Sequence, residues 1–266
     1  MRVLVLAIDC LDYRLVNRFG LDAFKQRVWG TIDVSEFRKY KLLTPVIWTS
    51  FITGKPPEEH GVLHWWTWGR LLDRIRYYPP FKWVRGKRRI LKKLGFKPRL
   101  VDRTHIRSST IFDVVKPSVP LFIPAYNDPE WYHREYNKAL RRSAKELEEA
   151  VLKVHKMKLD ALMESLSREW KLLMVWFDVI DLFSHMYYPH RLGKIEWIYR
   201  LVALQVRKIA KHTPPDTLIL IVSDHGIDEN GLHYPKAFWS LNKEVGWRPN
   251  KITDFYKLIL ELYRSG

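Results

Sequence analysis

The chain has 266 residues, 47% of them hydrophobic and 28% charged, a composition typical of one large globular domain and not of a disordered or fibrous protein. Its single cysteine excludes a disulfide framework and is typical of a reducing compartment. The 46 Lys and Arg against 29 Asp and Glu give a formal charge of +17, which favours anionic partners such as nucleotides, nucleic acid or an acidic membrane surface.

Four apolar runs predict buried strands, at residues 3–8, 119–125, 171–177 and 217–223. Between the last two runs, the helical spacing of apolar residues predicts a helix over 193–211, which Pro214 and Pro215 end. This strand–helix–strand order predicts an α/β fold with a mostly parallel central sheet flanked by helices. No run approaches the ~20 apolar residues of a membrane span, so we expect a soluble, cytoplasmic protein without a transmembrane segment.

Two segments differ from the rest in composition. Residues 64–107 are aromatic and basic, and residues 130–170 indicate one or two charged helices. We expect both to be insertions in a single catalytic domain, 1–266, where they form a lid or cap over the strand ends. Within the first segment, residues 82–107 carry eleven Lys and Arg and one acid, Asp102.

Carboxylates and histidines cluster where these predicted strands end. They are Asp9, Asp181, His185, Asp224, His225 and, in the loop that follows, His233. The carboxyl ends of parallel strands meet at one edge of a sheet, so side chains far apart in sequence converge there. Carboxylates and imidazoles suit zinc, manganese or iron, and two such sites close together stabilise the oxygens of a phosphoryl displacement. The pattern therefore indicates a two-metal enzyme that acts on phosphate esters.

Each motif also has a simpler structural explanation. Asp9 can cap a turn, and the i, i+4 pair Asp181 and His185 can be a solvated contact on a helix. The Ser223-Asp224-His225-Gly226 run is more specific, because adjacent acid and imidazole groups close a buried strand and Gly226 is expected to let the backbone turn.

Thr44 precedes Pro45 and a short apolar run, 46–52, that predicts a helix. One role for Thr44 is the N-cap of that helix. The other is a nucleophile activated by metal coordination. A helix N-terminus also favours a bound phosphate, so both roles share one geometry.

In order along the chain, Asp9, Thr44 ten residues before Gly54, His60-Gly61, Asp181-x-x-x-His185, Asp224-His225-Gly226 and a late His233 form one pattern. This pattern resembles the alkaline phosphatase superfamily, and within it the type I phosphodiesterase/nucleotide pyrophosphatase branch. The resemblance implies an alkaline phosphatase-like fold. It also implies two divalent ions, usually zinc, with Asp181, His185 and His233 holding one and Asp9, Asp224 and His225 holding the other. Thr44 would bridge to the second ion as the nucleophile.

One position departs from that branch, where an Asn commonly stands three residues after the nucleophile and binds the phosphate. Ile47 occupies this position here. The partner that orients the phosphate must then come from elsewhere, and the basic segment is the candidate, with Lys87, Arg88 and Arg89 as substrate-binding residues.

Three functions remain open from the sequence. The first is a phosphodiesterase or nucleotide pyrophosphatase that works through a covalent phospho-threonine intermediate on an anionic phosphate ester, such as a nucleotide. The second is a phosphomonoesterase or phosphomutase of the same superfamily. The third is an inactive protein that binds nucleic acid or an anionic membrane surface through residues 82–107.

Overall fold

The computed structural model describes residues 1–69, 72, 91, 93 and 95–264. A six-stranded sheet lies at its centre, in the order β2-β10-β7-β1-β6-β5. The strands are β1 Arg2–Ile8, β2 Val28–Asp33, β5 Ser118–Leu121, β6 Leu172–Phe177, β7 Thr217–Val222 and β10 Lys236–Leu241. Strand β10 is antiparallel to both of its neighbours, and the pairs β7–β1, β1–β6 and β6–β5 are parallel. The mostly parallel α/β architecture predicted from the sequence is confirmed.

Strands β1, β6 and β7 are buried on both faces, which explains their continuous apolar sequences. Fully burying one such side chain stabilises the fold by about 1.5–3 kcal/mol, so these strands anchor the core. Their register aligns their carboxyl ends, because Ile8 pairs with Phe177 and Ala7 pairs with Val222. The residues that follow β1, β6 and β7 therefore emerge at the same edge of the sheet.

The predicted strand 119–125 is shorter in the structure, where β5 ends at Leu121. Phe122 and Ala125 both have positive φ angles, 61° and 59°. An L-residue in this left-handed region cannot continue an extended strand, so the chain turns away from the sheet there.

The helices that the structure describes cover the faces of the sheet. They are α1 Tyr13–Arg18, α2 Thr44–Thr53, α3 Pro57–His60, α4 Ile111–Val114, α5 Glu130–Leu140, α6 Ala144–Ser165, α7 Val179–Tyr187, α8 Leu192–His212 and α9 Asp254–Arg264, with 3₁₀ turns at Ser35–Tyr40 and Arg103–His105. Helix α8 corresponds to the predicted helix 193–211, and α2 contains the predicted run 46–52. Within these described residues, no helix is both long enough and apolar enough to cross a membrane.

The 130–170 segment occupies a different place from the one predicted. Its helices α5 and α6 connect the parallel strands β5 and β6, and α6 packs on both of them. Leu147, Val151 and Leu162 of α6 are buried in the main hydrophobic core. The segment is thus a crossover layer on the face of the sheet, and the expectation that it forms a lid over the strand ends is wrong.

The aromatic and basic segment begins and ends in a small antiparallel pair, β3 Trp66–Thr67 with β4 Arg99–Leu100. Most of residues 70–94 lie outside the described part of the chain. Lys87, Arg88 and Arg89 are among them, so their predicted role in substrate binding stays a prediction.

Candidate metal centre

The predicted ligands meet at the carboxyl edge of the sheet. Asp9 directly follows β1, and Asp224 and His225 follow β7. Asp181 and His185 lie on α7, which begins two residues after β6. His233 begins β9, His233–Tyr234, which pairs with β8, Gly226–Ile227. The sheet topology therefore brings together residues that are more than 200 positions apart in the chain.

The six side chains form two triads. The inner triad is Asp9, Asp224 and His225, and the outer triad is Asp181, His185 and His233. Within each triad, one potential ligand atom from every residue lies within 4.8 Å of the others. The two triads also adjoin, because a carboxylate oxygen of Asp181 and a ring nitrogen of His225 lie within that same distance. This is the grouping that the resemblance implied.

The inner triad is completely buried, with no member more than 1% exposed. His225 Nε2 lies 3.3 Å from Asp9 Oδ1 and 3.5 Å from Asp224 Oδ2. None of these three atoms has a hydrogen-bond partner within the described residues. Buried polar atoms without partners are rare because each costs about 1–3 kcal/mol, so three of them facing one point need an explanation.

The outer triad is more open, and the side chain of His185 is 43% exposed. Asp181 Oδ1 lies 3.3 Å from His185 Nε2 and 3.6 Å from His233 Nε2. The two imidazole Nε2 atoms are 2.9 Å apart. The ring of His233 stacks on that of His225, with centroids 3.7 Å apart, so it joins the two triads.

Neighbouring backbone groups orient these side chains. His225 Nδ1 lies 3.0 Å from the carbonyl oxygen of Gly226, and His233 Nδ1 lies 3.1 Å from that of Leu42. A proton on each Nδ1 leaves Nε2 as a free acceptor, which is the usual arrangement of a metal-binding histidine. Asp224 Oδ1 accepts a hydrogen bond from the His225 backbone N–H, which leaves its Oδ2 free.

The electrostatics of the cluster also favour a cation. Burial, followed by the charges of Asp224 and Asp181, raises the pKa of Asp9 well above its usual value. Burial would also raise the pKa of Asp181, but its hydrogen bond to His185 and the nearby histidines lower it instead. The cluster thus concentrates acidic oxygens in a low-dielectric site where divalent cations stabilise the charge. The unpartnered oxygens and imidazole nitrogens fit two ions such as zinc, manganese or iron.

Thr44 is buried and is the first residue of α2. The N-cap of this helix is Leu43, and no side chain caps it, so the expectation that Thr44 serves as the N-cap is wrong. Two residues earlier, the Leu42 carbonyl accepts the hydrogen bond from His233. The start of α2 is therefore tied to the outer triad.

The sequence profile of the family described as type I phosphodiesterase / nucleotide pyrophosphatase matches residues 3–241. The chain belongs to this family. The match contains both triads and Thr44, and it confirms the resemblance stated from the motifs. No curated protein matches the sequence.

Two solved structures share the fold at low sequence identity, and a third match has a lower structural similarity. Murine ectonucleotide pyrophosphatase/phosphodiesterase 5 superposes with a TM-score of 0.52 and 12% identity, covering 86% of this chain and 59% of that one. Alkaline phosphatase from the Antarctic bacterium TAB5 has a TM-score of 0.52 and 11% identity, covering 99% of this chain and 97% of that one. Phosphonoacetate hydrolase from Sinorhizobium meliloti 1021 has a TM-score of 0.49 and 14% identity, and the match covers 85% of this chain and 56% of that one. This phosphodiesterase-family chain thus spans little more than half the length of the murine protein and of the phosphonoacetate hydrolase.

Three residues next to the triads have a strained backbone conformation. Cys10, immediately after Asp9, and the consecutive residues Lys41 and Leu42 have positive φ angles of 59°, 59° and 50°. Such conformations cost about 1–3 kcal/mol each for residues other than glycine. They orient the Leu42 carbonyl toward His233 and turn the chain sharply after Asp9, and no feature of the sequence predicted them.

Gly226 has a different role from the predicted one, since its φ angle is not in the left-handed region. A Cβ atom at this position would lie 2.3 Å from Asp12 Oδ2. That oxygen accepts a hydrogen bond from Ile227 N at 3.0 Å, while Asp12 Oδ1 caps α1 through Arg14 N at 2.7 Å. Gly226 therefore permits a close approach of Asp12, and the expectation of a turn that requires glycine is wrong.

Proposed function

We propose that this chain is a metal-dependent phosphodiesterase or nucleotide pyrophosphatase that hydrolyses phosphate esters through a covalent phospho-threonine intermediate on Thr44. The observation that carries the proposal is the pair of adjoining triads, one of whose members, His233, contacts the Leu42 carbonyl two residues before Thr44. Family membership supports the same class of reaction.

In this proposal the inner and outer triads hold two divalent ions. Zinc is the first candidate, and manganese and iron are alternatives with the same preference for imidazole and carboxylate. Such ions, when bound, withdraw charge from phosphoryl oxygens and favour the deprotonated form of a nearby hydroxyl group.

Thr44 supplies the nucleophile. Its Oγ1 forms a bond to phosphorus while the bond from phosphorus to the leaving oxygen breaks, and the leaving group departs with a proton. A water molecule then attacks the phosphoryl group, the bond from phosphorus to Thr44 Oγ1 breaks, and the threonine hydroxyl is restored. The N-terminus of α2 favours the negative charge of the phosphoryl group during both steps.

The proposed substrate is an anionic phosphate ester, and a nucleotide is one candidate. Murine ectonucleotide pyrophosphatase/phosphodiesterase 5 has been solved in complex with AMP. We further propose a cytoplasmic location, which suits a chain whose only cysteine, Cys10, is a buried free thiol.

The decisive experiment combines Thr44→Ala with metal analysis and a panel of p-nitrophenyl phosphate monoesters and diesters. We expect about two divalent ions per chain in both the native protein and the variant. Loss of the nucleophile should lower kcat on the preferred ester by at least ~10³-fold. Rapid quenching of the native enzyme should trap phosphate on the peptide that contains Thr44.

The matched control is Thr53→Ala, in the same helix and as deeply buried as Thr44. Its hydroxyl donates to the Thr49 carbonyl at 2.6 Å and belongs to no part of the proposed site. This variant should keep native kcat. A Thr44→Ala variant with native kcat, or a native protein that binds no divalent ion, would overturn the mechanism.

The same panel separates the other two functions. Turnover of monoesters but not of diesters would indicate the phosphomonoesterase alternative. No turnover of any ester by the metal-loaded native protein would favour the inactive binding protein, and its binding to nucleic acid or anionic vesicles would then be measured.

A further inference from the structure

A cleft of about 790 Å³ opens beside the outer triad. His185 and His233 line it together with the cations Arg14, Arg38 and Lys41 and the acids Asp228 and Glu229. Members of the inner triad are not among its lining residues. A phosphoryl group held between both triads would therefore have its outward substituent in this cleft.

Arg14 is fixed in place in the wall of the cleft. Its guanidinium pairs with Asp12 at 2.9 Å, donates to the Ile227 carbonyl and lies over the Tyr234 ring, 4.3 Å from the centroid. The side chain nevertheless remains 49% exposed, so one side of the guanidinium is available to a ligand.

Arg38 and Lys41 are exposed, and among the described residues no carboxylate lies within ion-pair distance of either. Lys41 directly follows the 3₁₀ turn that contains Arg38, and it precedes Leu42, whose carbonyl accepts a hydrogen bond from His233. The backbone that carries these two cations thus lies next to the outer triad, and neither cation has an ion-pair partner within the described residues.

Within the described residues, the two acids of the cleft form no ion pair with Arg38 or Lys41. Asp228 Oδ1 is engaged by the backbone N–H groups of Asn230 and Leu232, at 2.9 and 2.8 Å. Glu229 belongs to the same turn, between β8 and β9, and forms no ion pair with Arg38 or Lys41 within the residues described. One wall of the cleft is therefore cationic and unpaired.

We propose that Arg38 and Lys41, aided by Arg14, bind a second anionic group on the substrate, so that the preferred substrates are phosphate esters with a further phosphate beyond the scissile one. This inference rests on the proposed function, since it assumes that a phosphate ester is cleaved at the two triads. Arg38 and Lys41 would then determine the substrate specificity, because the Ile47 side chain has no polar group that could bind a phosphate.

The test uses two chromogenic esters that differ by one phosphate: thymidine 5′-(p-nitrophenyl phosphate) and the same compound with a 3′-phosphate. We expect the native enzyme to prefer the 3′-phosphorylated ester by about tenfold in kcat/KM, the ratio that ~1.4 kcal/mol of selective binding produces. The double variant Arg38→Gln, Lys41→Asn should reduce this ratio to about one. Asn is chosen at position 41 because it tolerates the positive φ of Lys41.

The matched control removes two charges elsewhere, through Arg207→Gln and Lys211→Asn near the end of α8. Helix α8 leads into the start of β7, at the edge of the sheet opposite the site. This control should keep the tenfold ratio, which excludes an effect of net charge on encounter.

The outcomes are separable. Turnover of both esters with a native ratio near one, or an unchanged ratio in the double variant, would overturn this inference and leave the proposed function intact. Failure of the metal-loaded native enzyme to cleave either ester would overturn both. As an independent check, Arg38→Glu should invert the preference, because it places a negative charge beside the added phosphate.

Discussion

Asp12 connects the start of α1 with the segment that carries the inner triad. Its carboxylate caps α1 and accepts a hydrogen bond from Ile227 N, only two residues after His225. This arrangement needs Gly226, because a Cβ at that position would lie 2.3 Å from the Asp12 carboxylate. The glycine of the Asp-His-Gly motif therefore matters for packing next to the inner triad.

Gly226→Ala should separate Asp12 from Ile227 and displace His225. We expect a loss of about 1–3 kcal/mol in the free energy of unfolding, which is typical of overpacking a buried position, together with weaker metal binding. Denaturant unfolding of the metal-free protein and zinc titration would measure the two effects.

Gly193→Ala is the matched control, since this glycine lies in α8 and an added Cβ would meet nothing within 4 Å. It should be neutral or stabilising by up to ~1 kcal/mol, because alanine favours a helix more than glycine does. If the two variants behave alike, close packing against Asp12 is not the reason for Gly226.

The convergence of the inner-triad carboxylates was predictable from the sequence because each follows an apolar run whose strand character is clear. Asp9 and Asp224 needed only the rule that parallel strands end at one edge of the sheet. The strain at Cys10, Lys41 and Leu42 was not predictable, since these conformations depend on contacts with residues far away in the chain. For the same reason, the cleft formed by Arg14, Arg38 and Lys41 did not appear in any local motif.

Helix α6 shows how an element can fit its predicted pattern and still hold an unexpected interaction. Lys158 is fully buried on this helix, and its Nζ lies 2.8 Å from Asp178 Oδ1, at the end of β6. The ammonium group also lies 4.0 Å from the centroid of the Trp176 ring. This ion pair fixes α6 against the strand that leads into α7 and the outer triad.

Lys158→Met should destabilise the protein by about 3–5 kcal/mol, because it leaves the Asp178 carboxylate buried without its partner. Lys156→Met is the control on the same helix. Lys156 pairs with Asp160 at the surface, with both side chains more than half exposed, so its loss should cost less than ~1 kcal/mol. Chemical denaturation of the two variants would measure this difference, and equal losses would show that the buried pair does not anchor α6.

At the scale of elements, the sequence predicted whether a segment is a helix or a strand more reliably than where that element packs in the fold. The strands β1, β6 and β7 follow continuous apolar runs and the helix α8 follows a helical spacing, and their predicted and observed bounds differ by one residue at most. The early end of β5 depends on two left-handed residues that no propensity indicates. For 130–170, the sequence indicated one or two charged helices but could not specify that one of them packs on β5 and β6.

The whole molecule combines a strongly basic surface with a small acidic interior site. The formal charge is +17, yet the two adjoining triads contain the carboxylates Asp9, Asp181 and Asp224, of which Asp9 and Asp224 are fully buried. A basic surface attracts anionic substrates, and the acidic site attracts the divalent ions that we propose. The metal-free fold therefore has to accommodate buried like charges, which affects its stability as a function of pH.

Asp9 provides the clearest case, because burial and then Asp224 raise its pKa above the usual value. The folded metal-free protein holds the proton of Asp9 more tightly than the unfolded chain does, so this contribution to stability is present in acid and is lost as the pH rises. Under the proposed function, a bound metal ion would take the place of this proton. We expect zinc to raise Tm more at pH 8 than at pH 5, measured by differential scanning fluorimetry with and without a chelator.

Asp9→Asn isolates this contribution, because the variant retains Asp181 and Asp224 but has no carboxylate at position 9. Without metal, it should melt at or above the native protein at pH 8, since an amide can donate to Asp224 where a carboxylate repels it. Added zinc should then raise its Tm less than that of the native protein, because one ligand of the inner triad is weakened. A metal-free variant that melts well below the metal-free native protein, or that gains as much from zinc, would show that Asp9 has a structural role and does not bind metal.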